Sequence, residues 1–323
     1  MMPNKTASWL ALLACLHLPN LATANDVDKA LGGECTKCDL RYEDFSRNNL
    51  EGVDLSGAYL FSSNLTWSNF REGDFVSAVL THARMEWSDF DEADFSKSNL
   101  EDAAMFRASF RNANMRLVKA DRANLSNSVL SNTNFLTASL VGASFIAAEA
   151  RDVNMRNTDL RDTDFTNADL HGADFQGAVL RRSVLSGTQL DSTSFTGADM
   201  KATKLEYTQI KYTNFRNARL VDASFKGSVL DAVNFTGADL SGADFTGARF
   251  HNVIFTDANL CDAILPSGQK GPCGKAFYLD EKKPEAHQMT PPPQFDTQPM
   301  PGATPSNPPA MPMPPAWPSG GPL

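Results

Sequence analysis

The sequence predicts a repeat solenoid wound as a square coil with twenty residues per turn, and three observations predict it. A large apolar residue falls on every fifth position from Leu40 to Leu265 without a slip of register; of these 46 positions all but Ala120 and Ala150 are Leu, Phe, Met or Ile. The residue two places earlier is nearly always small, as at Ala58, Ser68, Gly73, Ala78, Ala238 and Ala243. Steps of twenty sort the apolar positions into columns of different character. One column starts Leu40, Leu60, Leu80, Leu100 and stays mostly Leu to Leu260; another runs Leu55, Phe75, Phe95, Met115, Phe135, Met155 and then Phe from Phe175 to Phe255.

A helix repeats every 3.6 residues and a flat strand every 2, so an unbroken period of five belongs to neither. A five-residue unit is too short to bury its apolar side chain alone. Successive units must therefore wind round a common axis and stack on the next turn. A Leu ladder beside a Phe ladder is what four units per turn produce.

The units Ala168-Asp169-Leu170, Ala173-Asp174-Phe175, Ala198-Asp199-Met200, Ala238-Asp239-Leu240 and Ala243-Asp244-Phe245 follow the pattern A-(D/N)-L-x-x. Through them the chain resembles the pentapeptide-repeat proteins, over about seven tenths of its length. The resemblance implies that family's all-β fold, a right-handed quadrilateral parallel β-helix with four pentapeptides per coil. In it the small and the large residue of each unit point inward and the other three face solvent. About 11 to 12 coils at roughly 4.8 Å spacing make a rod of about 55 Å. Its core is one side chain wide, so stability accumulates coil by coil.

In chain order, residues 1–24 carry Lys5, an apolar run from Trp9 to Leu18, and Ala22-Thr23-Ala24 before Asn25. That is the layout of a secretory signal peptide, and the run is too short to span a membrane. Leu12-Leu13-Ala14-Cys15 weakly resembles a lipoprotein cleavage box, but a lipid anchor at Cys15 would cut the apolar run in half. Residues 25–37 form an N-terminal cap, with a short helix over Asp26 to Leu31 stopped by Gly32-Gly33 and covering the first coil. The solenoid is expected over 38–265.

Cys35 and Cys38 follow the cap helix, and Cys261 and Cys273 bracket a segment in which Pro266, Gly268, Gly271 and Pro272 end the repeat. In an exported chain such cysteines are disulfides. Pairing Cys35 with Cys38 and Cys261 with Cys273 is the arrangement compatible with a rod, whose ends hold one pair each; a redox-active Cys35-Cys38 pair is the functional alternative. Residues 266–283 are read as a C-terminal closing loop, which resembles that of exported members of the family. Residues 284–323 hold most of the chain's prolines and few charges, the composition of an extended, disordered tail. Its His287, Met289, Met300, Met311, Met313 and Trp317 offer a second reading, a Cu(I) site in an oxidising compartment.

The chemistry of catalysis is missing. His171 and His251 share a column but stand four coils apart, roughly 19 Å, too far to share a metal or a proton. There is no nucleophile elbow, phosphate loop, zinc spacing or nucleotide-binding glycine pattern. The reading is a chain that is not an enzyme and takes no cofactor or metal. Charge is more informative: residues 35–265 carry 31 acidic and 23 basic residues, and residues 35–104 alone carry 14 and 6, so the net acidity is confined to the first coils. Some cytoplasmic members of the family resemble DNA in shape and charge and inhibit type II topoisomerases. That mode asks for an acidic face along the whole rod, so it stands as the alternative and no nucleic-acid partner is expected. Asp54, Asp74 and Asp94 occupy successive coils of one column, continued by Asn114, Asn134 and Asn154; a cation such as Ca²⁺ would relieve their repulsion, or the column is a solvated ladder.

The expected role is an exported, non-catalytic scaffold or binding surface, periplasmic or secreted, for an unidentified protein or glycan partner. Arg47, Trp67, Trp87 and Arg107 fall twenty apart at an outward position and should stack on consecutive coils, with Phe106 beside Arg107 and with Tyr59 and Phe61 on the neighbouring turn. Exposed aromatics framed by arginine are enriched in binding hot spots. The sequence places no second gathering of surface aromatics elsewhere. The plain alternative is a self-sufficient stack of two indoles sandwiched between two guanidinium groups.

Overall fold

The structure, a computed structural model, describes residues 24–273. Residues 1–23 of the signal peptide expected over 1–24, the end of the closing loop and the Pro-rich tail with its His and Met residues lie outside the described residues; Ala24, expected as the last residue of that peptide, opens the first helix.

Chain entry is by helix α1, Ala24–Leu31, which carries Asp26 in its first turn and Lys29 in its last, where each complements the helix dipole. Two glycines close it. The Gly33 N–H reaches the Ala30 carbonyl and the Glu34 N–H reaches the Lys29 carbonyl, with Gly33 at φ 96°, the left-handed C-terminal stop that glycine makes at low cost. Asp26 also accepts the Asp39 backbone N–H at 3.3 Å, which ties the helix to the first coil.

From Glu34 onward every unit makes a parallel bridge to the unit twenty residues later, beginning Glu34↔Asp54 and ending Asp244↔Ile264. Each inward residue donates its N–H to the carbonyl nineteen positions ahead, as Phe70 to Asp89 at 2.7 Å, and each bridge residue donates to the carbonyl twenty-one positions back, as Val79 to Ala58 at 2.9 Å. Three places extend into longer strands: β1 (Gln209–Lys211), β2 (Val229–Asp231) and β3 (Arg249–His251), paired in parallel in that order. Coil registration therefore begins one unit before the predicted start at Cys38, because Cys35 already takes the inward position and is buried. A small sulfur-bearing residue escapes a search tuned to Leu and Phe.

The core is the apolar ladder itself. Phe75 stacks on Phe95 at 4.5 Å, and Phe175, Phe195, Phe215, Phe235 and Phe255 form a continuous stack with centroids 4.9 to 5.3 Å apart. The small inward positions hold hydroxyls as well as alanines, and these are paid for locally: Ser63 donates to the Leu60 carbonyl at 2.8 Å, Thr133 to Phe110 at 2.7 Å and Thr193 to Leu170 at 2.9 Å. Ser98 is the exception, its buried hydroxyl having no partner.

Both ends are fastened. Cys35 is bonded to Cys38 and Cys261 to Cys273, and at the C-terminal end Ile264 pairs antiparallel with Lys270.

Candidate interaction surface

Each side of the square ends at a two-residue corner, and the corner dictates what the surface can show. Its second residue has positive φ in unit after unit, from Lys37 (φ 57°) to Asp262 (φ 59°), which explains the Gly, Asn and Asp common there. The Asp or Asn before the inward residue turns the corner: its side-chain oxygen accepts the N–H two residues on, as Asp54 does from Ser56, Asp74 from Val76 and Asp94 from Ser96, at 2.7 to 2.9 Å. The acidic column is thereby accounted for. Asp94 also accepts the Asn114 amide at 3.0 Å, so the carboxylates serve the turns, and the column needs no cation.

The left-handed corner residue projects outward, and the surface aromatics gather there. Trp67 and Trp87 lie on consecutive coils with rings parallel to within 5° and centroids 4.8 Å apart. Arg107 closes one end, its guanidinium 4.6 Å from the Trp87 ring and 5.1 Å from Phe106, which meets Trp87 edge-on at 6.2 Å. Arg47 does not close the other end: it makes no cation–π contact among the described residues, and Trp67 is 43% exposed. The symmetric sandwich is thus half built. Phe61 joins a different group, meeting Tyr42 and His82 edge-on at 5.5 Å each, on the corner one side of the square away. Tyr59, half exposed, stands on the flat side before that corner.

The family profile described as "Pentapeptide repeats (8 copies)" matches residues 34–66, 58–96, 98–136, 208–247 and 228–265, and the one described as "Pentapeptide repeat region" matches 118–195. The chain belongs to the pentapeptide-repeat family. Its coil is accordingly the right-handed quadrilateral β-helix of that family. Among solved structures it is similar to HetL, a pentapeptide repeat protein involved in heterocyst differentiation regulation in the cyanobacterium Nostoc sp. strain PCC 7120, at 24% identity over 78% of this chain and 100% of that one, TM-score 0.27. It is also similar to QnrB1, a plasmid-mediated fluoroquinolone resistance protein, at 17% identity over 66% and 91%, TM-score 0.26. A third is a pentapeptide repeat protein of the Arabidopsis thaliana thylakoid lumen, at 20% identity over 38% and 68%, TM-score 0.19. No curated protein matches the chain.

The rest of this pentapeptide-repeat surface is polar and largely self-paired. Arg122 and Arg182 each grip the Asp one coil below through two nitrogens, Asp102 at 2.7 and 2.8 Å and Asp162 at 2.6 Å, and these bonds hold both carboxyls below the usual range. Asp91 is buried and accepts from Ser109 at 2.5 Å, the Arg111 N–H at 2.8 Å and Arg71 at 3.2 Å, so a nominally outward position has turned into a polar joint. Its neighbour Asp89 is pushed up by burial and by the Asp91 charge. His251 lies 2.6 Å from Asp231. The group of possible metal ligands among the described residues, Cys261, Asp262 and Cys273, is tied up: the cysteines are bonded to each other and Asp262 pairs with Lys270 at 3.1 Å. No helix of the described residues is long and apolar enough to cross a membrane.

Two aromatics contradict the expectation of a single surface gathering. Tyr207 and Tyr212 are 76% and 68% exposed, more than either tryptophan corner requires, and both sit at left-handed corner positions. Tyr207 lies across Gly227, where an added Cβ would come within 2.8 Å of the ring. Scanning every fifth residue at that corner phase finds Tyr42, His82, Tyr207 and Tyr212 together with the tryptophans; a search for Trp near Arg finds only the latter.

Proposed function

We propose that this pentapeptide-repeat protein is a non-catalytic scaffold that acts outside the cytoplasm and presents its first coils to a protein or glycan partner. The observation that carries the reading is the Trp67–Trp87 stack, an apolar area on a corner that the fold leaves partly in water, Trp67 being 43% exposed. Tyr42, Tyr59 and Phe61 on the next side widen the surface. Export is supported by the signal-like first residues and by four cysteines held as two disulfides. The inter-coil arginine–aspartate pairs of the later coils do not support an acidic face along the whole length, so the topoisomerase reading is not carried further.

The test is co-purification of the full-length chain from the periplasmic fraction, compared with Trp67→Ala/Trp87→Ala. Loss of the co-purifying partner with an unchanged melting temperature is the expected result. A double variant that melts several degrees lower and still retains the partner makes the stack structural, and recovery of the mature chain in the cytoplasm overturns export.

A further inference from the structure

We infer that the C-terminal closure has a second, metal-bound state: once its disulfide is reduced, Cys261, Cys273 and Asp262 form a three-ligand site for a thiophilic divalent cation of the Zn²⁺ class. This site is separate from the aromatic corners and from any partner they bind.

The ligand atoms of the three residues all lie within 4.8 Å of one another. Asp262 divides its two oxygens between different tasks. Its Oδ1 accepts from Lys270 Nζ at 3.1 Å, whereas Oδ2 lies 3.7 Å from the Cys261 sulfur. In a tetrahedral zinc site, with Zn–S about 2.3 Å and Zn–O about 2.0 Å, a sulfur and an oxygen ligand stand about 3.5 Å apart. Cys261 and Asp262 are therefore already spaced as co-ligands. Two thiolates on one zinc stand about 3.8 Å apart, and side-chain rotation supplies that once the bond between them is cleaved, since their Cα atoms are 4.2 Å apart. Lys270 stays on Oδ1 and fixes the carboxylate. Charge also balances: two thiolates and a carboxylate face a divalent cation and the Lys270 ammonium.

Access favours this disulfide over the other. Cys273 is exposed and Cys261 half-buried, while Cys35 and Cys38 are 2% and 7% exposed and the Cys35 sulfur lies 3.0 Å from the Asp26 carbonyl of the cap helix. A dithiol reductant thus reaches the C-terminal pair first. One of its thiolates attacks a sulfur of the pair, its second thiol displaces the mixed disulfide, and it leaves as a disulfide, having passed two electrons and two protons to Cys261 and Cys273. The cation then replaces the two thiol protons, which go to solvent. Meanwhile the closing loop keeps its own contacts. Lys270 pairs with Ile264, and the Gly271 N–H reaches the Ala263 carbonyl at 2.7 Å, so the ligands stay gathered without the covalent link.

The experiment is a titration of the full-length protein with Co²⁺, a spectroscopic stand-in for Zn²⁺, before and after reduction. A water-soluble phosphine is the reductant, because a dithiol would compete for the metal. The reduced protein should develop a thiolate-to-cobalt absorption band that Zn²⁺ bleaches, and the oxidised protein should not. Asp262→Asn should weaken Co²⁺ binding about tenfold or more. Cys261→Ser/Cys273→Ser should abolish the band, and Cys35→Ser/Cys38→Ser should keep it. In the reduced wild-type chain, where no variant can confuse folding with binding, Zn²⁺ should slow alkylation of Cys261 and Cys273 by iodoacetamide about tenfold or more, read by peptide mapping. Absence of the band, a band that survives in Cys261→Ser/Cys273→Ser, or protection confined to Cys35 and Cys38 overturns the site. An Asp262→Asn protein that binds Co²⁺ as tightly as the wild type overturns the three-ligand set.

Discussion

Replacing Phe195 by Leu should cost more stability than replacing Phe135 by Leu, although both rings are fully buried and belong to one column. The two substitutions remove similar apolar volume, so their transfer and cavity costs nearly cancel in the comparison. What differs is the company each ring keeps. Phe195 stacks on Phe175 at 4.9 Å and on Phe215 at 5.0 Å, whereas Phe135 has methionines, Met115 and Met155, one coil on either side and only an edge contact with Phe145 at 6.2 Å. Two stacked aromatic contacts at about 0.5–1.5 kcal/mol each give an excess of about 1–3 kcal/mol for Phe195→Leu; sulfur–ring contacts at Phe135 reduce the difference toward the lower figure. Urea unfolding followed by far-UV circular dichroism measures it, provided both variants keep the wild-type m-value. Equal losses, or a larger loss at Phe135, would refute the claim that ring-on-ring stacking holds the coils together.

The disulfides should differ in weight. By the loop-entropy relation, replacing Cys261 and Cys273 with serine removes about 3 kcal/mol and replacing Cys35 and Cys38 about 2 kcal/mol, with hydrogen exchange rising first in the coil at the severed end. Asp89→Asn should raise the melting temperature at pH 7 and not at pH 3. The Asp89 carboxyl is shifted up in the folded protein, so its ionised form opposes folding above that raised value and the penalty disappears as pH falls through it; Asn49 and Asn69 already fill the same column. Asp102 and Asp162 run the other way: their arginine bonds lower the folded values, so their stabilisation is present above the ordinary carboxyl range near pH 4 and is lost as acid protonates them, and Asp102→Asn or Asp162→Asn should flatten that acid limb. Gly227→Ala should lift the Tyr207 ring and introduce left-handed strain, lowering stability by about 1 kcal/mol and increasing the quenching of tyrosine fluorescence by iodide.

The coil was legible because two of the four columns largely repeat their own residue: Leu above Leu and Phe above Phe write the twenty-residue turn into the chain, and Ala120 and Ala150 are breaks too few to hide it. The corner went unread, although the Gly, Asn and Asp that recur two residues after the inward one would have marked its left-handed position. Interactions between unlike residues on successive coils were harder to read. Arg47 and Arg107 are the same residue at the same phase, yet only Arg107 covers an indole, because Phe106 beside it supplies a second ring face and Ser46 beside Arg47 supplies none. Phe61 is expected on the turn beside the tryptophans and lies there, but its partners Tyr42 and His82 meet it across a one-residue change of phase that periodicity does not encode. The burial of Asp91 hides from sequence for the same reason, since its partners Arg71, Ser109 and Arg111 come from the coils on either side.

A core that repeats every five residues on a surface that repeats every twenty separates two kinds of length change. Removing one pentapeptide keeps every Leu and Phe inward, yet turns all that follows by a quarter revolution. Trp67 and Tyr207 now lie on one edge, 140 residues and seven coils apart, about 34 Å at the strand spacing. Deleting 121–125 would carry Tyr207 to the adjacent edge; deleting 121–140 would leave it in line and bring it closer by one rung. Duplication and loss of segments thus act as a combination lock on this chain, in which twenties set reach and fives set facing, and neither needs a new core.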